Sequence, residues 1–161
     1  MKPTTENGLS RRRLVFAMIS TALMPQAAFA ETAVGAQPGG TAIMRIRCSF
    51  ADQTFTVTLE GNSSAREFAA MLPLDLGIED YSTNEKIAYL PRKLAEEKGG
   101  PFSNEAPGDL CYYAPWGNLA FFHGGYKYSS GLIRLGRLDD GPRPLLKRGK
   151  FSLRIEQLPP A

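Results

Sequence analysis

The sequence predicts a mainly β protein, a small closed barrel of short strands carrying one or two short helices. Three observations lead there. The chain has 161 residues, which favours a single domain. Seven or eight short segments alternate apolar and polar residues between turn signals. Only one segment joins helical spacing of apolar residues to a capping signal and a proline stop.

In chain order, residues 43–50 (IMRIRCSF) put Ile46, Cys48 and Phe50 on one face and Arg45, Arg47 and Ser49 on the other, as a half-buried strand does. After the turn Ala51-Asp52-Gln53, residues 54–60 (TFTVTLE) turn Phe55, Val57 and Leu59 inward, giving an N-terminal hairpin. Ser64 and Glu67 make a capping-box pattern ahead of Phe68, Ala69, Met71 and Leu72. Pro73 ends that helix, because a residue before proline is pushed out of the α region. Residues 74–78 alternate again, and residues 86–90 (KIAYL) form a short strand stopped by Pro91. Residues 92–108 are the longest stretch without strand character, with a helical turn expected around 93–98 and Glu96-Glu97 on its exposed face. Strands follow at 109–113 and 119–122, split by Ala114-Pro115-Trp116-Gly117-Asn118. Gly124-Gly125 marks a turn, residues 131–138 are a strand, and residues 139–144 (DDGPRP) are a loop with Asp139 and Asp140 in solvent. Residues 151–155 (FSLRI) supply the last strand.

The first thirty residues have a different character. Ser10-Arg11-Arg12-Arg13-Leu14-Val15 resembles the twin-arginine export consensus, with Leu14 where that consensus usually has an aromatic. The apolar stretch 14–24 is too short to span a bilayer about 30 Å thick at roughly 1.5 Å per helical residue. Pro25 breaks it, and Ala28-Phe29-Ala30 gives a small-x-small cleavage site before Glu31. An ordinary secretory signal carrying arginines, or a retained N-terminal anchor, are the other readings of this segment. The expected organisation is a twin-arginine-type signal peptide over 1–30, a flexible Gly/Pro-bearing linker over 31–41 and the barrel over 42–158. Delivery by the twin-arginine machinery through Arg11 and Arg12 would make the protein periplasmic or secreted, exported already folded and without a membrane span in its mature form.

The signal also accounts for the charge. The chain carries a formal +3, but residues 1–30 hold Lys2, Arg11, Arg12 and Arg13 against Glu6 alone. The remaining 15 basic and 15 acidic residues cancel. A neutral domain has no electrostatic basis for binding nucleic acid or an anionic membrane surface. The two cysteines, Cys48 and Cys111, match no zinc or redox spacing. In an oxidising compartment they bridge if their strands are neighbours with facing Cβ atoms, and otherwise serve as buried, unpaired small hydrophobes.

Three runs carry a resemblance. They are Gly108-Asp109-Leu110-Cys111-Tyr112-Tyr113-Ala114-Pro115-Trp116-Gly117-Asn118-Leu119-Ala120, Lys86-Ile87-Ala88-Tyr89-Leu90-Pro91, and Tyr128-Ser129-Ser130-Gly131-Leu132-Ile133-Arg134-Leu135-Gly136. In this order, behind a hairpin and a helix ending Met71-Leu72-Pro73, residues 43–156 resemble the bacterial cyclophilin-like family of small proteins. The resemblance implies a compact cyclophilin-like β-barrel with few helices, in a family without a settled activity. True cyclophilins isomerise X–Pro bonds, against a barrier of about 18–20 kcal/mol. They use an arginine on a Phe-His-Arg strand over an apolar proline pocket. The nearest string here is Phe121-Phe122-His123 followed by Gly124, so the arginine is missing. Arg134 and Arg137 could approach a pocket from another strand, and are expected on opposite sides locally only if Gly136 adds a bulge.

The candidate ligand-binding residues are Tyr112, Tyr113, Pro115, Trp116 and Asn118 of the aromatic-proline turn, with Phe122, His123 and Arg137. Tyrosine and tryptophan offer broad apolar surface with one hydrogen-bonding tip, which suits a small-ligand pocket. The competing reading makes these aromatics core and rim of the barrel, with Asn118 holding its own turn. Tyr126 and Tyr128, just past the glycine turn, are placed at the same mouth as Trp116. His123 is the single histidine, so no histidine-based metal cluster can form without carboxylates, which no evident spacing supplies, and a turn position at the end of a strand is its plainer role. Ser129 or Ser130 with His123 and Asp139 lacks a nucleophile elbow, and no phosphate loop or dinucleotide fingerprint is present. No cofactor or metal is expected. The leading reading is an exported module that binds a small molecule or peptide. A peptidyl-prolyl isomerase or foldase for exported proteins is the alternative.

Overall fold

The computed structural model describes residues 43–95 and 101–160. The signal, the linker and the second half of the expected helical turn at 93–98, with Glu96 and Glu97, lie outside the described residues. Residues 93–95, at the start of that turn, are irregular.

Eight strands close into a barrel: β1 (Arg45–Phe50), β2 (Gln53–Leu59), β3 (Leu74–Tyr81), β4 (Glu85–Tyr89), β5 (Asp109–Tyr113), β6 (Asn118–Phe122), β7 (Leu132–Leu138) and β8 (Phe151–Gln157). Around the wall the order is β1-β2-β7-β5-β6-β4-β3-β8, closed by β8 on β1, and every pairing is antiparallel. Side chains alternate across each strand, so one set fills the lumen. Ile46, Cys48 and Phe50 of β1 and Phe55, Val57 and Leu59 of β2 are all buried there, as the alternation requires. They meet Leu110, Tyr112, Leu119, Phe121, Leu135, Leu153 and Ile155 from the other strands. A barrel of this size is filled by its own side chains.

Three elements depart from the sequence pattern. The helix α1 (Ser63–Ala69) starts one residue before the expected capping box, and its N-cap is Asn62. Asn62 Oδ1 accepts from the Ala65 amide at 2.8 Å while its Nδ2 donates to the Arg134 carbonyl at 2.8 Å, so the cap also ties the helix to β7. Glu67, freed from capping, accepts from the Ala95 amide and from Arg92. Strand β3 runs on to Tyr81 because residues 79–81 pair with β4, a tertiary contact that charged Glu79 and Asp80 conceal in the sequence. Asp139 is an exposed turn residue, as expected, but its carboxylate is bonded. It accepts from Thr56 and Thr58, each at 2.6 Å, and from Arg45 at 2.7 Å, pinning the chain after β7 to β2. In the loop behind it a 3-10 helix (Arg143–Leu146) seats Leu145 fully buried in the core.

A bulge is present on β7, and it brings Arg134 and Arg137 to the same side rather than to opposite ones. Leu110 pairs with Gly136 and Cys111 with Arg134, leaving Leu135 as the extra residue on β7. Leu135 enters the core, and both arginines point outward toward Asp109. A Cβ at Gly136 would sit 2.4 Å from the Thr58 carbonyl oxygen, so only glycine permits this approach of β7 to β2.

The barrel order places β2 and β7 between the strands of Cys48 and Cys111. Cys48 lies in the lumen and Cys111 in a separate outer cluster, so the thiols are on opposite sides of the wall and both are free and buried. No described helix is long and apolar enough to cross a membrane.

Candidate aromatic cleft on the outer barrel face

Strands β5 and β6 are buried on both faces, and β7 is so in part. Their outward residues Cys111, Ala120, Phe122 and Leu132 form a second apolar cluster, covered by Phe102, Tyr113, Tyr126 and Tyr128. Where this cover stops, toward β4 and the β3–β4 turn, a cleft of about 320 Å³ opens. Its size lies at the lower end of small-molecule sites.

Five aromatic residues line it: Tyr81, Tyr113, Trp116, Phe122 and Tyr126. Trp116 stands at the tip of the β5–β6 turn and is 47% exposed. Tyr81 meets it edge-on, with ring centroids 5.5 Å apart and planes at 89°, and Tyr113 meets it at 5.6 Å and 76°. These T-shaped contacts hold the three rings as walls at steep angles to one another. Beyond them Tyr126 stacks flat on Phe122, 3.7 Å between centroids. The turn beneath Trp116 is closed by the Gly117 amide donating to the Tyr113 carbonyl at 2.8 Å, with Gly117 at φ 74°. Pro115 backs it against Gly131, where a Cβ would come within 2.7 Å of the proline ring.

The polar groups of the cleft are few. Asn118, 2% exposed, donates through Nδ2 to the Leu119 carbonyl at 3.0 Å, while its Oδ1 has no partner. Glu85, at the start of β4, is half-buried, and burial alone pushes its carboxyl above the usual range. Lys127 is exposed on the rim.

One wall is anchored from outside the cleft. The Tyr126 hydroxyl donates to Asp109 Oδ2 at 2.7 Å. Asp109 is fully buried and also accepts from Arg137 Nε at 2.5 Å and from the Ala106 amide at 3.0 Å. Burial opposes its ionisation, but these donors and the arginine charge hold its carboxyl below the usual range. Burial, with Cys111 and Asp109 alongside, pushes the Tyr126 phenol well above its ordinary value. Arg137 Nη2 donates to the Asn104 carbonyl at 3.0 Å. Arg134 binds Glu60 and Asn104 and lies 5.0 Å over the Phe102 ring.

Of the residues singled out in the sequence, Tyr113, Trp116, Asn118 and Phe122 meet in this cleft. Tyr112 does not, because alternation sends it into the lumen, where its hydroxyl accepts from the Leu94 amide at 3.0 Å. Pro115 lies behind the turn, and Arg137 belongs to the Asp109 network. His123 sits past the end of β6, its amide donating to the Asn84 carbonyl at 2.9 Å and its Nε2 buried without a partner. Burial, then Arg148 and Lys86, lower its pKa. Tyr126 lines the cleft, whereas Tyr128 packs on Phe102 at 5.5 Å. Sequence reasoning missed Tyr81, Asn84, Glu85 and Ile87, which reach the site because β4 pairs with β6. The available signal was the alternation Glu85, Ile87, Tyr89 on the face opposite buried Lys86 and Ala88.

The family model described as the cyclophilin-like family matches residues 48–156. Among solved structures, a hypothetical protein from Archaeoglobus fulgidus, determined in solution, is similar with a TM-score of 0.59 at 18% identity. The match covers 73% of this chain and 96% of that one, and at this identity it speaks for the fold alone. No curated protein matches the chain.

Proposed function

The chain belongs to the cyclophilin-like family, and from that premise we propose that it is a binding module for a small molecule or peptide, with the outer aromatic cleft as its site. Family membership supplies the barrel and no activity, so the reading rests on the site itself. The observation that carries it is the combination of five aromatic residues with an unpartnered, buried Asn118 Oδ1 beside an open cleft of about 320 Å³. A buried acceptor left without a donor is costly, and a ligand that supplies one recovers that cost. Prolyl isomerisation finds less support, because Arg137 lies outside the cleft with its guanidinium committed to Asp109 and Asn104.

Trp116 is the chain's single tryptophan, so its fluorescence reports the cleft directly. Screening a ligand library should yield compounds that change Trp116 emission and raise thermal stability. A ligand at 100 times its Kd contributes about 2.7 kcal/mol. Trp116→Ala should abolish the thermal shift while lowering the apo melting temperature only slightly, since about half of the residue is exposed. Silence in both readouts across the library sinks the proposal.

The place of work belongs to the same proposal: the periplasm or the exterior, reached through Arg11 and Arg12. Replacing both with lysine should leave the protein in the cytoplasm of the fractionated host. Unimpaired export would remove the twin-arginine route.

A further inference from the structure

We propose that the cleft selects an organic cation, an ammonium centre carrying alkyl groups, and this rests on reading the cleft as a ligand site. The inference follows from what the cleft offers and what it lacks. Among the described residues Asn118 Oδ1 has no partner, and no hydrogen bond or charge acts on the half-buried Glu85 carboxyl to offset its burial. Asn118 Nδ2 gives one of its two N–H groups to the Leu119 carbonyl.

The other anions on this side of the barrel are provided for. Asp109 has Arg137, Glu60 has Arg134, and Glu105 accepts from the Tyr128 amide at 3.0 Å. Among the described residues Glu85 is left with none, although exposed Lys127 stands on the same rim. A half-buried carboxylate without a counter-ion favours a ligand that brings the positive charge. The aromatic rings act in the same direction. Tyr81 and Tyr113 stand edge-on to Trp116, leaving indole and phenol surface around one corner of the cleft. Ring faces attract a cation within about 6 Å, and aromatic walls with a carboxylate suit alkylated ammonium groups, which present charge and apolar surface together. An anion would meet Glu85 and the negative ring faces.

Three nearly isosteric probes separate charge from shape: choline, its neutral carbon analogue 3,3-dimethylbutan-1-ol, and the anion 3,3-dimethylbutanoate. Each is titrated into the full chain and followed by Trp116 fluorescence. Choline should bind at least about tenfold more tightly than the alcohol, and the carboxylate should not bind. Glu85→Gln, close in shape, should weaken choline roughly tenfold and leave the alcohol unchanged, whereas Trp116→Ala, followed by calorimetry, should lose both. Equal binding of choline and the alcohol, unaffected by Glu85→Gln, would overturn the cation inference while the cleft remains a binding site. Silence of all three probes also overturns it, and leaves the broader reading to the wider library. A capped tripeptide with a central trimethyl-lysine tests the source of the charge. Tighter binding of choline assigns a free small molecule, and tighter binding of the tripeptide assigns a peptide side chain. Either supports the inference when it depends on Glu85.

Discussion

The lumen of the barrel and the outer face over β5, β6 and β7 are both buried, yet they are held by different forces. Inside, apolar side chains from all eight strands interlock, and the buried charge Lys86 is paired with Asp80 at 2.8 Å between the Phe50 and Phe151 rings. Outside, a handful of apolar residues is roofed by loop segments, and the roof is pinned by one buried carboxylate, Asp109, to Tyr126, Arg137 and the Ala106 amide. The difference separates stability from recognition. The lumen is the packed part, and the partly roofed face is where open aromatic surface remains.

Adjacent residues on β6 test this most sharply. Phe121 points into the lumen and Phe122 outward beneath Tyr126. Phe121→Ala should cost about 3–5 kcal/mol, because a rigid surround cannot collapse around the lost ring. Phe122→Ala should cost about half as much, since a loop can settle into the gap. Urea unfolding midpoints measure both, and equal losses would break the distinction between the two faces.

A smaller effect is expected at the pin. Asp109→Ala leaves Arg137 and the Tyr126 hydroxyl without their acceptor, at a cost of about 2 kcal/mol given the solvent available to Arg137. The pH dependence has a definite sign. The folded-state pKa of Asp109 is depressed, so its contribution is present above the unfolded carboxylate value of about 3.9 and is lost as pH falls through the folded value. Wild-type stability should therefore decline below about pH 4 more steeply than that of Asp109→Ala. Parallel acid limbs in urea titrations would show that the carboxylate does not hold the roof.

The same contrast explains which parts of the molecule could be read from sequence. The lumen is written in local alternation, so Ile46, Cys48, Phe50, Phe55, Val57 and Leu59 were identifiable without knowing any strand's partner. The aromatic turn was equally legible because Tyr113, Trp116 and Asn118 are close in sequence. Glu85 and Tyr81 were not, since they reach the cleft only through the pairing of β4 with β6 and of β3 with β4. Neither side of Tyr112 was marked, because tyrosine suits a core with one hydrogen bond as well as a pocket wall. The bonds of Asp139 to β2 and of Asn62 to β7 were hidden for a related reason: those partners are remote in sequence.

The two thiols offer the gentlest probe, since they sit one on each side of the wall. Burial pushes the Cys111 thiol up to about 12 and the Cys48 thiol further. Only the thiolate reacts, so neither should be alkylated by iodoacetamide at pH 8 while the protein stays closed. Exposure of Cys111 requires only that the Tyr126 loop lift from the outer cluster, whereas exposure of Cys48 requires the barrel itself to open. Regions held by few apolar contacts open at lower free energy than the global transition. In Cys48→Ala and Cys111→Ala variants, each retaining one thiol, labelling in low urea should therefore proceed first at Cys111, with Cys48 following the global unfolding curve. Asp109→Ala should accelerate the first and change the second only through the loss of overall stability. Coincident labelling of the two would mean that roof and barrel open as one unit, and the outer face would then owe its order to the same cooperative core as the lumen.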